Sequence, residues 1–270
     1  MSVGGGKHRM LYVTEPVRAA ADACTLVAAL PLIRRAPRGE PHPVLVLPGL
    51  LASDASTLAL RRWIRRLGCP VAGWDLGRNH GPTRAVVEGL PALLESLLQR
   101  HGEPITLVGW SLGGIFARSL ALRRPDAVRQ VITLGSPFGV TEYAKVGTPG
   151  ERMYQRLAHL HVEDRIHPSG AVLREPLLVP STSLYSRWDG IVNWRDCLQS
   201  SGPISENVEV RGSHLGLGHN PAVLWTVADR LAQPTDKWQP FQIPDSGPLA
   251  SLFGDPAASK VGGARNSGQQ

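Results

Sequence analysis

Cysteine is scarce, and its pattern rules out several chemistries. Cys24, Cys69 and Cys197 stand far apart, and no C-x-x-C occurs. An odd number at such spacing argues against a disulfide framework and against a cysteine-based zinc site. Reduced thiols, and hence the cytoplasm, are the expected state and compartment. Nine histidines include the close pairs His159/His161 and His214/His219. Neither pair lies in a cysteine- or carboxylate-rich metal constellation, so no metal and no cofactor is expected. No apolar run approaches the roughly 20 residues of a membrane span. There is no internal repeat, no RNP-like motif, no zinc-knuckle spacing and no interleaving of aromatic with basic residues, which argues against a nucleic-acid partner. No Pro/Gly/Ser-rich linker divides the middle of the chain.

The 270 residues are 42% hydrophobic and 19% charged, a composition that fits one globular α/β domain with a full core. That domain is expected over residues 1–254. The net charge of +7 includes a cluster of Arg61, Arg62, Arg65 and Arg66, two arginine pairs on one side of a helix. Such a face is usually solvated, and at most it implies peripheral contact with acidic lipid headgroups. Nothing in the sequence fixes an oligomeric state. Near the N-terminus an apolar stretch over residues 24–33 follows Lys7, Arg9 and Arg18. Asp22 interrupts it, and no small-residue cleavage site precedes Arg34 and Arg35, so an amphipathic helix over 16–30 is expected rather than a signal peptide.

Further on, apolar strand-like runs alternate with helical patterns. Strands are expected at 44–47, 71–74, 105–108, 128–134, 177–184 and 208–210. Helices are expected from the caps Ser53 and Asp54 to about residue 67, and at 83–100, 112–124 and 221–231. Alternation of this kind with buried strands implies an α/β fold, a mostly parallel central sheet with helices on both faces. Residues 140–175 interrupt the pattern and carry an expected helix at 151–160, a candidate lid. Residues 255–270 are small and polar and read as a disordered tail.

The most informative segment is Gly109-Trp110-Ser111-Leu112-Gly113. It follows a strand-like run and opens a helix-like one, the setting of a nucleophile elbow. A serine at the tip of so tight a turn leaves no room for side chains two positions to either side. The turn also aims the N–H groups of the next helix at the place where an oxyanion would form. A serine hydroxyl needs a base to take its proton, and the base needs an orienting acid. Asp189 follows a strand and precedes a glycine, and is preferred as the acid over Asp196, which falls in a short helix, and Asp164, which falls in the insertion. His214 follows the last strand in a glycine-rich loop, and is preferred as the base over His219. The latter adjoins Asn220, the expected cap of the closing helix.

With these residues the chain resembles the α/β-hydrolase superfamily on its lipase and esterase side, over roughly residues 43–232. In that family a His-Gly pair commonly follows the first core strand, and the next N–H helps to form the oxyanion hole. Here the pair is Pro48-Gly49. The resemblance therefore assigns the oxyanion amides to Leu50 and Leu112, and implies that Ser111, His214 and Asp189 hydrolyse a small-molecule or lipid ester through an acyl-enzyme. Leu50, Leu51, Trp110, Leu112 and Phe138 suggest an apolar acyl group. An acyltransferase with the same triad and a non-catalytic binding protein of the same fold are the alternatives.

Overall fold

The computed structural model describes residues 4–138, 148–162, 170–234 and 237–254. The tail expected over 255–270 and the competing Asp164 lie outside the described residues. Six strands form one parallel sheet: β1 (Val44–Leu47), β2 (Val71–Ala72), β3 (Ile105–Trp110), β4 (Val128–Leu134), β5 (Ser181–Tyr185) and β6 (Ser205–Glu209). Their spatial order is β2-β1-β3-β4-β5-β6, and every neighbouring pair is parallel. The helices are α1 (Gly4–Ile33), α2 (Leu58–Arg66), α3 (Arg84–His101), α4 (Leu112–Arg123), α5 (Pro149–Arg156), α6 (Gly170–Arg174) and α7 (Pro221–Ala232).

Alternation along the central strands divides the core in two. Val44 and Val46 of β1, with Val108, Ile132 and Leu134, turn toward α1, α2 and α7, where they meet Ile33, Trp63, Ile64, Val223 and Val227. Leu45 and Leu47, with Leu107 and Val131, turn toward α3 and α4, where they meet Leu90, Leu94, Ile115 and Phe116. Each such fully buried side chain contributes about 1.5–3 kcal/mol relative to an exposed one. Trp63 also donates its indole N–H to the Leu224 carbonyl at 2.9 Å, which ties α2 to α7.

Several boundaries differ from the expected ones. Asp54 does not cap α2. Its carboxylate accepts the N–H groups of Trp74 at 3.1 Å and Asp75 at 3.0 Å, and so holds the end of β2. The edge strand β6 begins at Ser205, where polar residues mask the strand pattern. The core also reaches past residue 232: Phe241, Leu249 and Phe253 are buried, and Val210 pairs with Phe253 in an antiparallel bridge.

The largest departure is α1. It runs from Gly4 to Ile33, with Pro16 and Pro31 inside it. By length and composition its stretch from Arg9 to Ile33 is sufficient to cross a membrane, although no continuous apolar run signals it. The stripe it turns inward is Leu11, Glu15, Arg18, Asp22, Ala29 and Ile33, at helical spacing. The middle of that stripe is charged, so the helix reverses the usual amphipathic arrangement along half its length.

Candidate active site

Ser111 stands at the junction of β3 and α4 with φ 53° and ψ −122°, in the left-handed half of the map that non-glycine residues rarely occupy. Its N–H donates to the Leu134 carbonyl at 2.8 Å, which anchors the strained turn to β4. The flanking glycines are required by contact. A methyl group at Gly109 would overlap the Gly113–Gly114 backbone, and one at Gly113 would overlap the Leu47–Pro48 backbone.

Asp189 and His214 come together from the loops after β5 and β6. The His214 imidazole Nδ1 lies 2.5 Å from Asp189 Oδ2, and both side chains are buried. The other carboxylate oxygen, Oδ1, accepts the N–H groups of Ile191 and Val192, each at 2.8 Å. These bonds fix the carboxylate plane and leave Oδ2 for the ring. Beneath the pair lies Gly135, with φ 54°; a Cβ there would stand 3.2 Å from His214 Nδ1 and 3.3 Å from Asp189 Oδ2. Burial pulls the His214 pKa down, but the Asp189 charge and hydrogen bond, with a smaller contribution from Glu15, push it further up, and the net shift is upward.

Ser111 and His214 open on one cavity of about 300 Å³, which Leu50, Leu51, Trp110 and Leu112 also line. Among the described residues neither the Leu50 nor the Leu112 N–H is engaged by another residue. Asn79 holds the Leu50 loop. It is fully buried, its side-chain amide donates to the Pro48 carbonyl at 2.8 Å, and its own carbonyl accepts the Leu51 N–H at 2.6 Å. Met153 and Tyr154 of α5 form part of the wall. Phe138 does not; it is buried in the core with the Arg118 guanidinium over its ring.

The competing residues have other partners. His219 Nε2 lies 3.0 Å from the Ala19 carbonyl of α1. Asn220 caps α7 by accepting the N–H groups of Ala222 and Val223. Asp196 pairs with Arg174 at 3.5 Å.

Three residues of α1 belong to the site without any local sequence signal. Glu15 is buried, and its carboxylate accepts the N–H groups of Gly190 at 2.8 Å, His214 at 3.1 Å and Leu215 at 3.1 Å. It therefore joins the loop of the acid to the loop of the base. Arg18 pairs with Glu15 at 2.8 Å and donates to the Trp188 carbonyl at 2.6 Å. Asp22 accepts the Ser213 N–H at 2.9 Å and the Ser213 hydroxyl at 2.7 Å. All the functional groups thus gather at the carboxyl edge of the sheet, where open α/β sheets bind their ligands.

Residues 43–150 match the family described as the alpha/beta hydrolase fold. Together with the six-stranded parallel sheet, that match gives the chain the α/β-hydrolase fold. Its likeness lies on the lipase and esterase side. It is 35% identical over 111 residues to the sn-1-specific diacylglycerol lipase ABHD11 of Mus musculus, a match that takes in 38% of this chain and 36% of that protein. Among solved structures it resembles the metagenome-derived lipolytic enzymes LipS and LipT, with a TM-score of 0.54, 15% identity, and coverage of 73% of this chain and 95% of that one. It resembles Aspergillus fumigatus lipase B equally, with a TM-score of 0.54, 17% identity, and coverage of 75% and 57%. At these identities the structural likeness concerns the fold.

Proposed function

We propose that this α/β-hydrolase is a serine hydrolase that cleaves carboxylic esters through an acyl-enzyme. The observation that carries the reading is the buried Asp189–His214 pair, 2.5 Å apart, whose His214 opens on the same cavity as the strained Ser111. In this mechanism the Ser111 oxygen attacks the ester carbonyl carbon while His214 takes the hydroxyl proton. Asp189 holds the ring and stabilises its cationic form. The Leu50 and Leu112 N–H groups stabilise the tetrahedral oxyanion. Collapse breaks the bond to the alkoxy group, which leaves as an alcohol with the proton from His214. A water then gives its proton to His214 and attacks the acyl carbon, and the acid departs as Ser111 regains its proton.

The leucine-rich cavity wall and the likeness to a diacylglycerol lipase support a lipid ester as substrate. The three unpaired cysteines fit a cytoplasmic setting. Fluorophosphonate treatment followed by intact-mass and peptide analysis tests the mechanism. One adduct on Ser111, abolished in Ser111→Ala, is expected. Labelling of a different serine, or none in folded protein, overturns it.

A further inference from the structure

Between Met10 and Pro31 the outward face of α1 is apolar. Met10, Val13, Val17 and Val27 are each 68–74% exposed. Tyr12, Pro16, Ala20, Ala21, Ala23, Cys24, Ala28 and Pro31 are exposed beside them. The stripe Met10, Val13, Val17, Cys24, Val27 and Pro31 recurs at helical spacing and is therefore one face. No charged side chain interrupts it, because Glu15, Arg18 and Asp22 are all turned to the catalytic loops.

Charge is confined to the ends of this face. Arg9 is exposed at one end, and Arg34, Arg35 and Arg38 at the other, with Glu40 as the exposed acid after them. A groove lined by Leu30, Arg34, Arg38, Trp63 and Arg66 joins the C-terminal end of α1 to α2. There Arg62 and Arg65 are exposed as well. The cluster the sequence singled out on α2 thus combines with arginines following α1 into a basic patch beside the apolar stripe. At the opposite end, Tyr12 and Leu215 line the catalytic cavity, and Leu215 and Trp188 are among the exposed large apolar side chains.

We propose that α1 lies in the surface of an anionic phospholipid bilayer, with its apolar stripe among the upper acyl chains and the arginine patch on the headgroups. An apolar face of this length, flanked by cations, matches the two attractions that hold a helix in the plane of a membrane interface. The helix lies on the bilayer and does not cross it. Crossing would withdraw the Glu15 and Asp22 carboxylates from their N–H partners and take them into hydrocarbon. Docked in this way, the cavity mouth at Tyr12 and Leu215 faces the layer from which a lipid ester would enter. This placement rests on the lipid-ester reading of the site, and it names the surface that supplies the substrate.

Cys24 supplies a direct probe. It is exposed on the apolar stripe, whereas Cys69 and Cys197 are buried, so a polarity-sensitive fluorophore can be attached at one place in the full-length protein. Flotation with phosphatidylcholine vesicles, with and without phosphatidylglycerol, is measured at low and high salt. Binding is expected to vesicles containing phosphatidylglycerol, weakened by salt, with a blue shift of the Cys24 probe. Val13→Asp with Val17→Asp should weaken binding about tenfold or more, and Arg62→Glu with Arg66→Glu should abolish the preference for the anionic lipid. Both variants should retain hydrolysis of a soluble p-nitrophenyl ester. Failure of the wild-type protein to bind either vesicle overturns the proposal. So does a probe that stays in water, or a self-association that buries the stripe in a second copy of the chain. Ser111→Ala protein should bind vesicles as the wild type does. Loss of ester cleavage with intact vesicle binding would therefore count against the hydrolase reading alone.

Discussion

Glu15 and His214 are joined directly: the His214 backbone N–H donates to Glu15 Oε1 at 3.1 Å. The same oxygen accepts the Gly190 N–H at 2.8 Å, next to Asp189. A single carboxylate, from a helix outside the alternating strand and helix pattern, thus sets the spacing of the acid and base loops. Its charge also supports the cationic form of the His214 ring.

Replacing this carboxylate should change both rate and pH dependence. Glu15→Ala leaves three N–H groups without an acceptor, at about 1–3 kcal/mol for each that stays buried. A total loss of roughly 3 kcal/mol in denaturant unfolding is expected, because the loops relax to recover part of it. Glu15→Gln keeps the shape and removes the charge. In the proposed mechanism the base is neutral His214, so activity falls as pH drops through its pKa. Removing a charge that raises that pKa moves the acid limb of kcat/KM to lower pH. An unmoved acid limb in a folded Glu15→Gln protein would confine Glu15 to a structural role.

The two neighbouring histidines should separate cleanly. His214→Ala is expected to lower kcat on a short p-nitrophenyl ester by about 10³-fold or more, as for loss of a triad base. His219 faces the Ala19 carbonyl instead. Its alanine variant should lose about 1 kcal/mol of stability and keep kcat within roughly threefold. Steady-state kinetics beside thermal unfolding of both variants checks the assignment, and reversed effects would move the base to His219.

The wall contributed by α5 should show in acyl-chain preference. Met153 and Tyr154 line the cavity, so a longer acyl chain gains contact with them that an acetyl group lacks. At about 0.8 kcal/mol per buried methylene, kcat/KM should rise from p-nitrophenyl acetate through butyrate to octanoate. Tyr154→Ala should flatten that rise while leaving the acetate rate nearly unchanged. A profile that favours acetate in both proteins would leave α5 without a part in substrate selection.

The sheet and the loops that carry Asp189 and His214 were legible in the sequence because their signals are local. Strand β1 is a buried run of Val and Leu, and β3 and β4 are rich in Val, Leu and Ile and buried on both faces apart from Arg129. The elbow declares itself through two glycines that have no room for a side chain. Asn220 declares itself as the cap of α7 through its place before a proline-led helix. What escaped were relationships with no local trace. Asp54 before a helix looks like a cap, and only the fold reveals that its acceptors serve Trp74 and Asp75. β6 was read short because Glu206 and Asn207 do not look like strand core. Each has a partner from elsewhere in the chain, Arg230 and Gln199. For α1 the apolar rule points the wrong way. The charged stripe of Glu15, Arg18 and Asp22 is the one that meets the protein, and Val13 and Val17 are the ones left outside.

The span of the Glu15 contacts also sets an order in time. Glu15 leaves the ribosome ahead of its partners: Gly190, His214 and Leu215 follow 175, 199 and 200 residues later. At synthesis rates of about 5–20 residues per second, α1 therefore waits roughly ten seconds or more before the backbone N–H partners of its inward Glu15 and Asp22 carboxylates exist. During that interval β1 to β4 can pair and cover one face with α3 and α4, but the loops of Asp189 and His214 cannot be fixed. Fixing the loops of Asp189 and His214 against α1 is thus a late event, and contacts of such sequence separation are among those that slow folding.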